Sequence, residues 1–172
     1  YHKLTEEKMP YGYNGKILHV DLTTGNTRVE EPSRTWYRTY MGGRNVALYY
    51  LIKQIPAGAD PLGPDNVMVF APSVITGAPV SGVSRFTVAA KSPLTNAFGE
   101  AQCGGWWGPE LKFAGYDAIV VYGKSPRPVY LWIHDGEAEL RDATHLWGTL
   151  TGDTLKAIRA EHNDPKIRVI GI

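Results

Sequence analysis

The residues best placed to do chemistry sit in three glycine-flanked loops. GGRN, Gly42 to Asn45, puts Arg44 directly after a glycine pair at what reads as a helix start, where free backbone N–H groups favour phosphate or another anion. VSGVSR puts Gly82 and then Arg85 at the head of a strand, so that a guanidinium can project from a rigid element toward a bound anion. QCGGWWG repeats the arrangement, with Gln102 and Cys103 followed by Gly104 and Gly105 on the way into a short helix. Three such loops describe a surface suited to a large, flat, phosphate-bearing ligand. Each also has an ordinary structural reading. Gly42 and Gly43 serve equally to end a helix, and a lone Arg85 is most often plain strand surface. Cys103 reads first as a small buried apolar residue, while Trp106 and Trp107 fill a core as readily as they line a pocket. On residue types alone, anion binding is open and the reaction undetermined.

Other constellations are scarce. Glu30 and Glu31 are adjacent at a strand end, where neighbours point to opposite faces, so they read as solvated edge charges and not as an acid–base pair. Asp117, just ahead of an apolar strand, reads as a cap or turn residue. No Ser, His and Asp set is recognisable from spacing, and neither GxxxxGK[ST] nor a GxGxxG after a strand is present. The single cysteine, Cys103, excludes an internal disulfide, an all-cysteine zinc site or a four-cysteine iron–sulfur cluster built from this chain alone, and fits a reducing cytoplasm. The five histidines, His2, His19, His134, His145 and His162, are scattered without metal-ligand spacing.

The elements that position these loops follow from pattern and punctuation. GKILHVDL, the turn TTGN and TRVEE predict a β-hairpin. Ser33 is a plausible N-cap for a helix with Trp36, Tyr37 and Tyr40 on one face. A second helix over 45–54 carries Val46, Leu48, Tyr49, Leu51 and Ile52, most of which fit a buried stripe, and Pro56 and Gly58 mark its end. DPLGPDN is turn chemistry, VMVFA a strand buried on both faces, and RFTVAAK the strand that follows a glycine and proline loop over 72–84. AQCGGWWGPELKFAG leads a glycine pair into a short helix that stops at Gly115. DAIVVYG is another buried strand, and PVYLWIHDGEAELRDA is a hairpin turning at Asp135 and Gly136. Thr151 to Glu161 is an amphipathic helix with Leu155, Ala157 and Ile158 inward. KIRVIGI then begins a further strand, which suggests a chain cut from something longer.

At 172 residues the chain is one domain, or at most two small ones, at roughly 100 to 200 residues per domain. With 43% hydrophobic and 20% charged residues it is a foldable globular chain. Eighteen basic against seventeen acidic side chains, net +1, argue against nucleic acid as a partner. No run approaches the roughly 18 apolar residues of a membrane span. Nineteen Gly and twelve Pro imply many turns and close backbone approaches. Residues 1–10, YHKLTEEKMP, lack the apolar core of a secretion signal and read as a leader or an appended remnant.

From Tyr11 to Ile172 the sequence resembles the N-terminal domain of the tungsten-dependent aldehyde ferredoxin oxidoreductase family. The resemblance is carried in order by YGYNGKILHVDLTTG, the GGR loop, DPLGPDNVMVFAP, TGAP, SRFTVAAKSPLT, GGWWGPELKFAGYDAIVV, KSPRPVYLWI, LRDATHLWG and VIGI. It implies an α+β domain of two β-sheets and a few helices, whose saddle-like surface supports tungstopterin, a tungsten atom held by two pterin dithiolenes. It also implies oxidation of aldehydes to carboxylic acids with water as the oxygen source. Electrons would pass through a four-iron four-sulfur (4Fe-4S) cluster to ferredoxin.

By the same resemblance, the residue matching Arg85 lies between a pterin and the cluster. The one matching Gln102 gives a backbone carbonyl to a magnesium ion bridging the pterin phosphates, and the one matching Gly104 contacts the pterin. Gly43, Arg44, Cys103 and Gly105 complete the expected cofactor-binding set. The chain departs from the pattern in three places. Gln102 stands where Asn is common, Asn45 follows GGR where Gly is common, and Cys103 replaces a Ser or Thr-like residue and carries no redox role. No catalytic residue is expected within the chain. The cluster cysteines and the second half of the pterin cage belong to later, C-terminal domains, so residues 11–172 alone should be inert. A cytoplasmic homo-oligomer is expected. The alternative is a stand-alone pterin-binding or assembly module that docks onto another subunit.

Overall fold

The computed structural model describes residues 12–171, and the leading segment read as a leader lies outside them. Eight strands and four helices form an α+β fold. They run β1 (Ile17–Asp21), β2 (Asn26–Glu30), α1 (Arg34–Tyr40), α2 (Arg44–Gln54), β3 (Val67–Pro72), β4 (Phe86–Lys91), β5 (Phe98–Cys103), α3 (Trp107–Phe113), β6 (Ala118–Tyr122), β7 (Val129–His134), β8 (Glu137–Asp142) and α4 (Thr151–Glu161), with a single 3₁₀ turn at Thr144–Leu146. Six strands make one mixed sheet in the order β2-β1-β6-β3-β4-β5, and β7 and β8 make a second. Only β1 and β6 run parallel, with Ile17 opposite Ala118; the other pairs are antiparallel.

Period-two alternation explains why the central strands are apolar throughout. Ile17, Val67, Val69, Ala71, Ala118 and Val120 point to one face, where α2 packs with Val46, Ala47, Tyr50 and Leu51. Leu18, Val20 and Ile119 point to the other, against Leu111, Tyr116 and the β7–β8 hairpin. Each Val, Leu or Ile among them, fully buried, stabilises the fold by about 1.5–3 kcal/mol. A third small cluster, Ala143, Leu146 and Ile158, holds α4, with Tyr130, Ile167 and Val169 packed on it.

Local signals act as the sequence implies. The Trp36 N–H donates to Ser33 Oγ (3.2 Å), capping α1. Asp135 and Gly136 both have positive φ (49° and 84°), the geometry of a type I′ hairpin turn.

Several expectations are corrected. In α2 the inward residues are 46, 47, 50 and 51, so Leu48 and Ile52 face outward, Ile52 being 74% exposed. Met68 is likewise exposed, so β3 is not buried on both faces. Ala157 is exposed, and in α4 it is Ile158 that is buried. KIRVIGI forms no strand among the described residues, because it has no ladder partner there; Ile167 and Val169 bury against the α4 cluster instead. Glu30 is not a free edge charge. His19, fully buried beneath Tyr50, approaches Glu30 Oε2 at 2.6 Å through its Nε2. β5 is an edge strand that the pattern of FGEAQC does not announce.

Candidate cofactor-supporting site

The three glycine loops converge on the β4–β5 end of the large sheet. Phe86 pairs with Cys103, Thr87 with Gln102 and Ala89 with Glu100, which sets Arg85 beside the stretch that begins at Gly104. Two side-chain bonds fix the backbone beneath Arg85. The Thr76 hydroxyl donates to the Arg85 carbonyl at 2.7 Å and accepts from the Ser73 N–H at 2.9 Å. The Gly105 N–H in turn donates to Ser84 Oγ at 3.4 Å. Arg85 is exposed, and among the described residues its guanidinium has no carboxylate or hydrogen-bond partner.

Two glycines are required here for different reasons. Gly105 has φ +94° with open space around it, so backbone conformation excludes a side chain. At Gly42 the constraint is space: a Cβ would lie 2.9 Å from the Pro72 carbonyl oxygen and 3.1 Å from the Val74 nitrogen. That close approach, with the Gly43 N–H donating to the Pro72 carbonyl at 3.0 Å, seats the GGR loop on the end of β3. A Cβ on Gly43 would come 3.5 Å from the hydroxyl of Thr87, the ladder partner of Gln102.

Arg44 opens α2, and its Nε–H donates to Glu100 Oε2 on the neighbouring edge strand. The other Glu100 oxygen accepts from Gln102 Nε2 at 3.1 Å. The Arg44 hydrogen bond, helped by Gln102, holds the Glu100 carboxyl below the usual carboxylate range. Gly43, the residue before α2, supplies no side-chain cap to the first-turn amides. α3 spans only seven residues, so its start is a weak source of helix-end field.

Residues 101–106 are exposed throughout. Cys103 therefore departs from the buried-apolar reading, because the edge strand leaves its side chain in the open. The two tryptophans divide: Trp107 packs on Phe70 and Phe86, whereas Trp106 is 66% exposed, with the Arg168 guanidinium 5.4 Å from its ring centre.

The residues expected from sequence to border a cofactor thus lie along the β4–β5 pair and the glycine loops that meet it, with Gly43 and Arg44 coming from the start of α2. Glu100, Ser84 and Thr76 escaped sequence reasoning. The turn SPLTN after a strand signals that the chain turns back, but not which residue of the returning segment meets Arg44. Asp117 is a buried anchor: it accepts N–H groups of Asn14 and Gly15 and pairs with Lys112 Nζ at 2.7 Å. A separate cleft of about 690 Å³ lies between β2 and the β7–β8 hairpin, lined by Arg28, Trp132, His134 and Arg141 among others, and it includes none of these residues.

Among the described residues no three His, Cys, Asp or Glu side chains converge on a point where a metal could sit. What the arrangement offers is a guanidinium without a partner among the described residues, glycine-opened backbone and an exposed edge strand. This is chemistry for holding an anionic group and, through carbonyl oxygen, a hard cation. No helix of the described residues is long and apolar enough to cross a membrane.

Comparison with known proteins assigns the chain to a family. Residues 17–172 match the family model of the aldehyde ferredoxin oxidoreductase N-terminal domain. The chain is 43% identical over 162 residues to the tungsten-containing aldehyde ferredoxin oxidoreductase of Thermococcus kodakarensis, covering 94% of this chain and 27% of that protein. Its identity to the Pyrococcus furiosus enzyme of the same name is 41%, with the same coverage. Among solved structures, it superposes on the active site complex BamBC of benzoyl coenzyme A reductase, in complex with 1,5-dienoyl-CoA, with a TM-score of 0.87 and 37% identity. That match covers 91% of this chain and 24% of that one. The chain therefore spans about a quarter of the length of the relatives it matches. It belongs to the aldehyde ferredoxin oxidoreductase family and corresponds to the N-terminal domain.

Proposed function

We propose that this domain is the floor on which a tungsten bis-pterin complex rests, within an oxidoreductase that converts aldehydes to carboxylic acids. The observation that carries the reading is the meeting of Arg85, free of any described carboxylate, with the exposed Gln102–Gly105 stretch on one strand pair. The residues fit the group. Arg85 supplies fixed positive charge beside anionic pterin phosphates. The Gln102 backbone carbonyl would be a hard oxygen donor to a magnesium ion accompanying the cofactor. Gly104 and Gly105 let the backbone approach a flat ring closely, and Gly43, Arg44 and Cys103 border the same surface.

When bound, the tungsten centre supplies the two-electron oxidation of an aldehyde and water to a carboxylic acid, two protons and two electrons. A 4Fe-4S cluster, which the single Cys103 could not hold, would pass the electrons on to ferredoxin. This chain's residues bind, orient and neutralise charge; none of them moves a proton of the reaction. A cytoplasmic homo-oligomer is part of the proposal. The aldehyde substrate rests on the names of the T. kodakarensis and P. furiosus relatives.

The test uses the complete protein that carries this sequence, purified natively with its cofactors. Wild type should contain tungsten and iron and reduce a viologen dye in the presence of aldehyde. Arg85→Ala should lower tungsten content severalfold, with Arg85→Lys intermediate. The isolated 172-residue chain should show no aldehyde-dependent dye reduction and no stoichiometric iron. Full tungsten occupancy in Arg85→Ala would overturn the role given to this surface.

A further inference from the structure

We infer that Arg44 and Glu100 are a positioning pair that straps β5 to the start of α2, and that Arg44 is not itself a ligand to the cofactor phosphates. The inference rests on the cofactor-supporting reading and separates two arginines that reading leaves side by side.

β5 is laddered only to β4 and is exposed along most of its length. Yet it delivers Gln102, Cys103 and the glycine pair. The tie that reaches it comes from 56 residues earlier in the chain. The Arg44 Nε–H donates to one oxygen of Glu100, and the other oxygen accepts from the Gln102 amide two residues on, on the same face of the strand. Gly43 lies against Thr87, directly across the ladder from Gln102. The connection therefore runs without a break from the GGR loop to the residue whose carbonyl is to face the magnesium.

Charge separates the two arginines. The Glu100 side chain is only 12% exposed and commits a full negative charge to Arg44, whereas Arg85 has no described carboxylate beside it. An incoming phosphate meets a paired guanidinium at position 44 and, at position 85, a cation with no carboxylate partner among the described residues.

The experiment uses the complete, natively purified protein and four variants: Arg44→Glu, Glu100→Arg, the two together, and Glu100→Ala. Two quantities are read: tungsten per polypeptide, and hydrogen exchange of the amides at 98–103. Each single reversal places like charges together, so tungsten should fall severalfold and β5 exchange should quicken. The double swap rebuilds the pair with reversed polarity and should return both readings to the wild-type range. A double swap that folds, recovers slow β5 exchange and still stays empty of tungsten would overturn the inference, because a carboxylate at position 44 repels phosphate but can still serve as a strap.

Should the double swap not fold, Glu100→Ala decides. A broken strap loses tungsten and speeds β5 exchange, whereas release of a phosphate-binding Arg44 leaves tungsten unchanged or raised, which would also overturn it. If wild type itself holds no tungsten, the cofactor reading fails first. Exchange at 98–103 in the cofactor-free protein then still decides the strap, which is refuted if neither single reversal changes it.

Discussion

The Lys112–Asp117 pair sets a measurable hierarchy of stability. Both side chains are buried, Nζ to Oδ1 is 2.7 Å, and Lys112 also donates to the Gly12 carbonyl at 2.5 Å. Asp117 does more than Lys112, because its oxygens accept the Asn14 N–H at 3.0 Å and the Gly15 N–H at 2.7 Å. Removing one partner of a buried pair costs about 3–5 kcal/mol, because it strands the other charge. Lys112→Met leaves the carboxylate with two backbone donors, so the lower end, about 3 kcal/mol, is expected. Asp117→Ala strands the ammonium and also orphans two N–H groups worth about 1–3 kcal/mol each, so it should cost at least about 2 kcal/mol more. The double variant Lys112→Met/Asp117→Ala removes both charges but not the orphaned donors, and should fall between the two. The assay is urea unfolding followed by tryptophan emission, with midpoints compared at equal m-values. Lys112→Met costing as much as Asp117→Ala, or both costing under about 1 kcal/mol, would refute the assignment of the carboxylate as the hub.

Three further outcomes can be checked directly. Burial, followed by the nearby Arg28, lowers the His19 pKa from 6.5, with Glu30 opposing. The unfolded chain therefore binds a proton that the native state resists, and stability should be full above pH 6.5 and fall as the pH drops from there toward the lowered native value. His19→Gln should flatten that limb in urea midpoints measured from pH 7.5 to 5. Gly42→Ala drives a methyl into backbone that cannot rotate away, so a loss of about 1–3 kcal/mol, with lower tungsten content, should appear in thermal melts and elemental analysis. Cys103, in the open on the edge strand, should be alkylated by iodoacetamide in the folded cofactor-free protein and protected once tungsten is present, as read by mass spectrometry.

What the sequence discloses and what it hides divide by the range of the interaction. The Ser33 cap, the Asp135–Gly136 turn, the β1–β2 hairpin and both ends of α4 depend on residues a few positions apart, and all of them can be read from the string. β5 is hidden because FGEAQC buries no continuous face; it is a strand only because β4 offers it a ladder. KIRVIGI errs in the opposite direction, since Ile167 and Val169 alternate like a strand but find an apolar cluster on α4 and no partner edge. The outward turn of Leu48 and Ile52 reflects the same limit. An α2 apolar nearly all round does not say which stripe will meet β3. At the site, the glycines and arginines are conspicuous as types, but the bond from Arg44 to Glu100 spans 56 residues and is visible only once β5 is placed.

The placement of the proposed site on the sheet follows from the same physics. β1 and β6 are covered on both faces and carry the core together with the α2-facing side of β3, so any group on them that faced a ligand would have to be withdrawn from packing. The β4–β5 end has spare surface, and its backbone can present carbonyl and N–H groups without orphaning any in the interior. Such an edge gives up rigidity, and the chain restores it from outside the ladder. Thr76 holds the Arg85 carbonyl, Ser84 holds Gly105, and the GGR loop, wedged on Pro72 by a glycine that admits no methyl, brings Arg44 within reach of Glu100. Residues 42–44 and 100–105 therefore form one mechanical unit. Changes at Gly42 and at Glu100 should consequently be sub-additive in tungsten retention: once either displaces β5, the second has little left to displace.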